Sequence, residues 1–84
     1  MSIATHSLRD LDTKEFRIAL GDKIRERREA ENLSQAKLAE MLSGNSDGSY
    51  ISRIELGKLS CSIDQLYRIA RALDIKLKDL VDIE

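Results

Sequence analysis

The sequence predicts an all-α fold, a compact five-helix bundle forming one small domain, and three observations support this. The chain has no proline, and three of its four glycines lie near the middle, so long stretches on either side are free to form helix. Apolar residues recur at helical spacing. Aromatic residues are only 4% of the chain, which is typical of a small helical core built from Leu, Ile and Ala.

The first helix is predicted to follow an N-terminal segment that lacks hydrophobic periodicity. Residues 1–12 show no sustained period, and we predict a flexible arm there, with the domain spanning residues 13–84. Thr13 is the expected N-cap, and Phe16, Leu20 and Ile24 recur every four residues and so share one face. Asn32 is expected to end the helix because Asn tolerates left-handed backbone.

A second, short helix is predicted to begin after the N-cap Ser34 and to run through Leu42. The segment 43–48, SGNSDG, has the composition of a turn, in which Gly44 and Asn45 permit left-handed backbone. Ser46 or Asp47 is then expected to cap a third helix, which ends at Gly57.

Two further helices are predicted in the last third of the chain. Ser60 or Ser62 is the expected cap of the fourth helix, and a final short helix spans about 77–81. The spacing i, i+3, i+7, i+10 predicts a buried stripe on the fourth helix, formed by Ile63, Leu66, Ala70 and Leu73.

Composition narrows the possible functions. The net charge is −1, so the chain is not globally basic. Basic residues concentrate in the middle, where they either form a local basic face or pair with interleaved acids on a solvated helix face. Cys61 and His6 each stand alone, which predicts no internal disulfide, no metal or other cofactor and no catalytic cluster, so we expect no enzyme. No apolar run approaches the roughly 18 residues of a membrane span, and we expect a cytoplasmic protein without membrane contact.

The middle of the chain predicts a helix-turn-helix. Two short helices that cross steeply need a small residue at the crossing, and Ala39 supplies it. Ile51 and Ile54, three residues apart, would fix the second of these helices to the core. The opposite face of that helix would stay exposed, and an exposed helix fits the major groove of B-DNA, about 12 Å wide.

The stretches LGDKIRERREAENLSQAKLAEML, SYISRIELGK and SIDQLYRIARALDIKLKDL resemble the phage-repressor and Cro-like helix-turn-helix family, also called the xenobiotic-response-element family, and are similar to restriction–modification controller proteins. The resemblance covers the chain from Phe16 to Ile83. It implies sequence-specific binding of double-stranded DNA by a transcriptional regulator, with the third helix in the major groove of a palindromic operator. It also implies an ion pair between Arg28 and Glu55.

The sequence departs from the family pattern at four places. The turn between the second and third helices is two residues longer than usual, and Gly48 stands where many members place a base-reading side chain. Leu56 replaces a common polar residue, and Cys61 replaces a common proline.

Candidate DNA contacts follow from position as well as from the resemblance. An Arg on the outer face of the third helix donates to guanine, or else to phosphate or solvent, and residues of the first turn meet base edges; the predicted base contacts are Ser49, Tyr50 and Arg53. In the alternative interpretation, the Tyr50 ring packs against the core. Gln35, at a helix N-terminus, matches the family's phosphate-binding Gln, and Lys58 a backbone-contacting Lys. The full set of predicted DNA-backbone contacts is Ser34, Gln35, Ser52, Lys58 and Ser60.

The C-terminal residues predict a homodimer. They offer more apolar surface than a small core readily absorbs, and leftover apolar surface often marks a contact with another chain; the residues are Ile75, Leu77, Leu80, Val81 and Ile83. An alternative to DNA binding is a protein-interaction module of the same fold, an antitoxin-like partner that uses the N-terminal arm.

Overall fold

The computed structural model describes residues 13–83, and the arm predicted over residues 1–12 lies outside them. Within the described part of the chain there are five helices and no strand. Their bounds are α1 Lys14–Ala30, α2 Gln35–Ser43, α3 Ser49–Glu55, α4 Ile63–Ala72 and α5 Leu77–Leu80. The all-α prediction is therefore confirmed. No helix of residues 13–83 has the length and apolar character needed to cross a membrane.

The helices surround one apolar core. Helix α3 packs between α1 and α2, α4 packs on α2 and α5, and α5 returns to α1. The buried apolar side chains are Leu20, Ile24, Leu38, Ala39, Ile51, Ile54, Leu66, Ile69, Ala70, Leu73 and Leu80. Every helix contributes to this core, so even the four-residue α5 is fixed by burial rather than by its own propensity.

Helix ends follow local chemistry. The Ser34 hydroxyl accepts a hydrogen bond from the Lys37 amide at 2.9 Å, and the Ser62 hydroxyl accepts one from Gln65 at 3.1 Å. After α1 the chain turns through left-handed backbone at Asn32, with φ of 58°. These serines satisfy amides that the first helical turn leaves unpaired, and Asn32 stops the helix at the predicted place.

One prediction about α4 is wrong: Ile63 was expected on the buried stripe but is 64% exposed in the first turn of its helix. Thr13 holds the predicted N-cap position of α1, but its hydroxyl caps no amide and instead accepts a bond from the Arg17 guanidinium at 2.8 Å. Phe16, on the same face as Leu20 and Ile24 and in the first turn of α1, is 40% exposed.

Candidate nucleic-acid interface

Helix α3 turns one face inward and the other outward. Ile51, Ile54 and Glu55 are buried. Because successive helical residues differ by about 100°, Ser49 and Arg53 lie on the opposite side, and both are exposed. Leu56, the residue that follows the helix, continues this exposed stripe. Helix α3 therefore presents a narrow polar face that ends in one apolar side chain.

Glu55 joins α3 to both preceding helices. Its carboxylate accepts two hydrogen bonds from Arg28, from Nε at 2.6 Å and from Nη2 at 3.0 Å. The Gln35 amide nitrogen donates to the same carboxylate at 3.0 Å. Arg28 is 8% exposed and Glu55 is 3% exposed, so this is a buried, bidentate ion pair. We call Arg28, Gln35 and Glu55 the Glu55 network.

The Glu55 network fixes how the two central helices cross. Arg28 also donates from Nη1 to the Leu33 carbonyl at 2.7 Å, just before α2 begins. Its hydrogen bond to Glu55 raises the pKa of the guanidinium above the ordinary value, against the opposing effect of burial. Charge, hydrogen bonding and burial therefore hold the end of α1, the start of α2 and the end of α3 together.

Helix α1 approaches α3 at backbone distance. A Cβ on Gly21 would collide with the Glu55 carbonyl oxygen and lie 2.6 Å from that of Ile54. Gly57 ends α3 at φ of 75°, and a Cβ there would lie 2.7 Å from the Ile18 side chain. The Arg17 Nε donates to the Gly57 carbonyl at 3.2 Å. Sequence reasoning missed this contact, and the available signal was a glycine placed inside a long helix.

The turn between α2 and α3 is held by a series of side-chain-to-backbone hydrogen bonds, which we call the turn ladder. Ser43 Oγ donates to the Ala39 carbonyl and accepts from the Asn45 amide. The Asn45 side-chain oxygen accepts from the Asp47 amide at 2.9 Å, and Asp47 Oδ1 accepts from the Ser49 amide at 3.0 Å. Asx turns of this kind order a loop locally. The turn ladder runs without a break from the end of α2 to the start of α3.

Two predictions about this turn are resolved by the ladder. Gly44 adopts left-handed backbone with φ of 76°, but Asn45 is not among the described residues with positive φ and orders the turn through its side chain instead. The prediction that Ser46 or Asp47 is the N-cap of α3 is wrong, because Gly48 holds that position without a side chain; the Asp47 carboxylate instead caps the Ser49 amide from one position earlier. Gly48 packs against the start of α2, where a Cβ would lie 2.9 Å from the Ala36 nitrogen and 3.0 Å from Gln35 Cβ. A side chain at position 48 would separate the two helices, which accounts for glycine there.

The predicted DNA contacts fall into groups. Those on or beside the exposed side of α3 are Ser49, Ser52 and Arg53, and Ser52 is half-buried at the flank. Ser34 and Gln35 lie together at the start of α2, and the Glu55 bond brings Gln35 next to α3. Lys58 follows α3 and is exposed, and its amide donates to the Arg53 carbonyl at 2.9 Å. Ser60 lies apart from these residues, beside the first turn of α1, in a groove shared with Thr13 and Phe16.

Tyr50 lies to the side of the exposed face. It shares a hollow with residues of α2, the turn and α4, and it lies close enough to the Cys61 thiol to lower the pKa of that thiol. Burial raises the pKa of the half-buried Cys61 thiol more than Tyr50 lowers it, so the thiol stays protonated and packs as a small side chain. Tyr50 therefore takes an intermediate position, partly packed and partly exposed.

The C-terminal apolar residues belong largely to the core. Leu80 is 0% exposed, so the prediction that it contacts a second chain is wrong: the domain itself absorbs this side chain. The remaining residues of the predicted surface are half-buried and pack around the core, namely Ile75, Leu77, Val81 and Ile83. The large exposed apolar side chains nearby belong to α4, Ile63 and Tyr67, and Tyr67 lines an open hollow with Ile75 and Leu77.

Known proteins share this arrangement. A helix-turn-helix family model matches residues 24–80. The control protein C.BamHI of Bacillus amyloliquefaciens is 38% identical over 71 residues, which cover 83% of this chain and 85% of that protein. The restriction–modification controller protein C.AhdI from Aeromonas hydrophila superposes with a TM-score of 0.73 at 36% identity, covering 83% of this chain and 99% of that chain. The clp gene regulator ClgR from C. glutamicum superposes with a TM-score of 0.72 at 27% identity, covering 79% and 82%. The matched family region begins in α1 and ends with α5, so it contains α2, the turn and α3 entirely.

Proposed function

Because the chain belongs to the helix-turn-helix family and is a DNA-binding transcriptional regulator, we propose that it places α3 in the major groove of a palindromic operator. The observation that carries this proposal is the exposed face of α3, which includes Ser49 and Arg53 while the buried face is fixed by Glu55. A helix held this rigidly presents its side chains in one register to base edges. Binding without catalysis, in the cytoplasm, is the whole of the proposed activity.

Arg53 is the principal proposed base contact. It points outward from α3, and an Arg in that position donates two hydrogen bonds to guanine O6 and N7. Ser49 meets a neighbouring base edge from the first turn, and Tyr50 contributes from the side through its exposed part. These contacts would make the operator rich in guanine at the positions that α3 covers.

Phosphate contacts would set the register. The Gln35 amide has two N–H donors, one of which is given to Glu55, and the other suits a phosphate at the start of α2. The remaining proposed phosphate contacts are Ser34, Ser52, Lys58 and Ser60. Ser34 can donate its hydroxyl hydrogen while its oxygen caps α2. Ser60, in the groove beside the first turn of α1, would mark the edge of the contact.

The likeness to two controller proteins supports a more specific role. C.AhdI is a restriction–modification controller protein and C.BamHI is a control protein, and this chain is over one third identical to each. We propose that this protein regulates the genes of a restriction–modification system, and that it does so by binding an inverted repeat in the DNA beside its own gene. Footprinting on the DNA adjoining its gene would test this, and protection spread evenly over random DNA would contradict it.

The test of the DNA interface compares three variants by fluorescence anisotropy on an operator and on scrambled duplex. Arg53→Ala should lose preference at one base position, by about 1–3 kcal/mol, and keep its affinity for scrambled duplex. Gln35→Ala and Lys58→Ala should weaken binding to every duplex and make the salt dependence shallower. Lys78→Ala, an exposed lysine on α5, is the control and should change neither property. Equal loss on all sequences for Arg53→Ala would reassign Arg53 to phosphate.

A homodimer completes the proposal. One α3 covers only a few base pairs, and two copies would read half-sites one DNA turn apart, about 34 Å. We propose that the second copy packs against the hollow lined by Tyr67, Ile75 and Leu77, with Val81 and Ile83 at its margin. Exposed Tyr67 supplies apolar area that the half-buried C-terminal residues alone lack.

A further inference from the structure

Asp47 places a carboxylate beside the first residue of α3, Ser49. It lies in the last part of the lengthened turn, fully exposed, two residues before α3 begins. Its Oδ1 accepts the Ser49 amide, and its own amide is held by Asn45. The turn ladder therefore fixes both the backbone and the side chain of Asp47, so the carboxylate is presented in one place.

The Asp47 carboxylate keeps acceptor capacity beyond its capping role. An ionised carboxylate offers about four lone-pair sites, of which the Ser49 amide uses one. Arg53, one and a half turns further along α3, is near enough for its charge to act on Asp47. A hydroxyl or an amide at position 47 would cap the helix equally well, so the cap alone does not explain a charge next to a DNA surface.

Negative charge is unfavourable near phosphates unless a base donor faces it. In the major groove a G·C pair presents guanine O6 and N7 as acceptors and, beside them, the cytosine N4 amino group as a donor. Arg53 matches the acceptors, and a carboxylate matches the amino group. A base without a donor at that place would leave the desolvated carboxylate unpaired, which penalises the wrong sequence.

We propose that Asp47 is a specificity-determining residue that accepts a hydrogen bond from a cytosine amino group, in the base pair read by Arg53 or in the adjacent pair. This inference rests on the proposed entry of α3 into the major groove. It assigns to the lengthened turn a role in reading sequence, since the residue that carries the carboxylate lies within that turn.

The experiment selects bound sequences from a duplex library randomised across each half-site, for the full chain and two substitutions at position 47. Asp47→Asn keeps a capping oxygen and adds an amide donor, which favours adenine. Asp47→Ser keeps the cap but is too short to reach a base. Asp79→Asn is the control, because it removes the same charge at an exposed position of α5 that lies outside the hollow proposed for the second copy.

The wild-type chain should prefer cytosine at one position, next to or paired with the guanine whose preference Arg53→Ala removes, by about 5- to 150-fold over other bases. Asp47→Asn should shift that position towards adenine, Asp47→Ser should abolish its preference, and Asp79→Asn should retain it. Circular dichroism melting confirms that each variant is folded.

Two results would overturn the proposal in different ways. Unchanged base preferences in both Asp47 variants, or a gain in affinity that is equal for all duplexes, would reduce Asp47 to a cap and leave the proposed function intact. A wild-type chain without any sequence preference would overturn the proposed function, and this inference with it.

Discussion

The Glu55 carboxylate accepts hydrogen bonds from Arg28 and Gln35, so side chains from three helices meet at one buried charge. If one partner of the pair is removed, the other remains as a buried charge whose desolvation is no longer offset. The resulting loss of stability is far larger than the net stabilisation that the intact pair provides. Gln35 adds a neutral donor and is also a proposed phosphate contact. At the scale of single residues, folding and DNA binding therefore share one side chain.

Removing one partner of this pair should destabilise the domain strongly. We expect Arg28→Ala or Glu55→Ala to lower the free energy of unfolding by about 3–5 kcal/mol. A double-mutant cycle in urea should give a coupling of about 0.5–3 kcal/mol between them. The exposed Lys37–Glu40 pair, 3.1 Å apart, is the matched control and should couple by less than about 0.5 kcal/mol. Equal coupling in both pairs would mean that burial of Glu55 adds nothing.

The Asp47 cap predicts a pH dependence of the turn. The Ser49 amide and hydroxyl, with a smaller effect of Arg53, hold the pKa of Asp47 below its ordinary value of about 3.9. A carboxyl whose pKa is lower in the folded state than in the unfolded state contributes to stability. This contribution is complete above the pKa of the unfolded state and is lost as the pH falls through the lower pKa of the folded state. The Ser49 amide chemical shift should therefore stay constant from pH 7 to 5 and change only below about pH 4. A midpoint at or above the ordinary value would show that Asp47 does not cap α3.

At the scale of helices, the backbones of α1 and α3 come close at Gly21 and, just after α3, at Gly57, while both helices also contribute side chains to the common core. This close approach lets Arg17 reach the Gly57 carbonyl and brings Arg28 within reach of Glu55. The crossing of two helices is thus set by one missing side chain inside a seventeen-residue helix.

Gly21→Ala should destabilise the domain although Ala is the better helix former. The intrinsic gain of about 1 kcal/mol is outweighed because backbone carbonyls of α3 cannot rotate away, and we expect a net loss of about 1–3 kcal/mol. Thermal melting of Gly21→Ala against Gly44→Asn checks this. At Gly44 no atom lies within 4 Å of an added Cβ and Asn tolerates left-handed backbone, so little change is expected. A more stable Gly21→Ala would show that α1 can shift.

Sequence periodicity predicted the helices because each buries a stripe of apolar residues, and it failed where helices overhang their neighbours. Leu20 and Ile24 are buried as expected, whereas Phe16 and Ile63, one turn beyond the packed body, are not. Spacing along one helix carries no information about where a neighbouring helix ends. The bond from Gln35 to Glu55 joins residues twenty positions apart on different helices, so no local pattern could predict it. The turn over residues 43–48 was predictable because its hydrogen bonds join residues two to four positions apart.

At the scale of the whole molecule, the exposed apolar side chains are distributed unevenly. Leu80 is absorbed by the core, whereas Tyr67 remains 52% exposed beside a hollow next to α5. The surface proposed for a second copy therefore centres on α4 rather than on the final helix. This shift arises because a short helix can bury its apolar face in its own domain.

Tyr67→Glu should weaken self-association about tenfold or more, because the substitution removes aromatic contact area and would bury a charge in the interface. The free energy of unfolding of the monomer should stay nearly unchanged. Sedimentation equilibrium across micromolar concentrations measures this. Leu56→Glu, at an exposed apolar residue after α3, is the control and should sediment as wild type. A wild-type chain that remains monomeric throughout would contradict the proposed dimer.

The turn ladder affects the heat-capacity change expected when the protein binds DNA. Each residue that must become ordered on binding costs about 1–2 kcal/mol of backbone entropy, and coupled folding enlarges the negative heat-capacity change. Ser43, Asn45 and Asp47 already hold this turn in the free protein. Calorimetry should therefore give a heat-capacity change that is explained by the area of the DNA contact alone, without a further contribution from ordering of the turn. Two additional residues then extend the turn without adding an entropic cost to the complex.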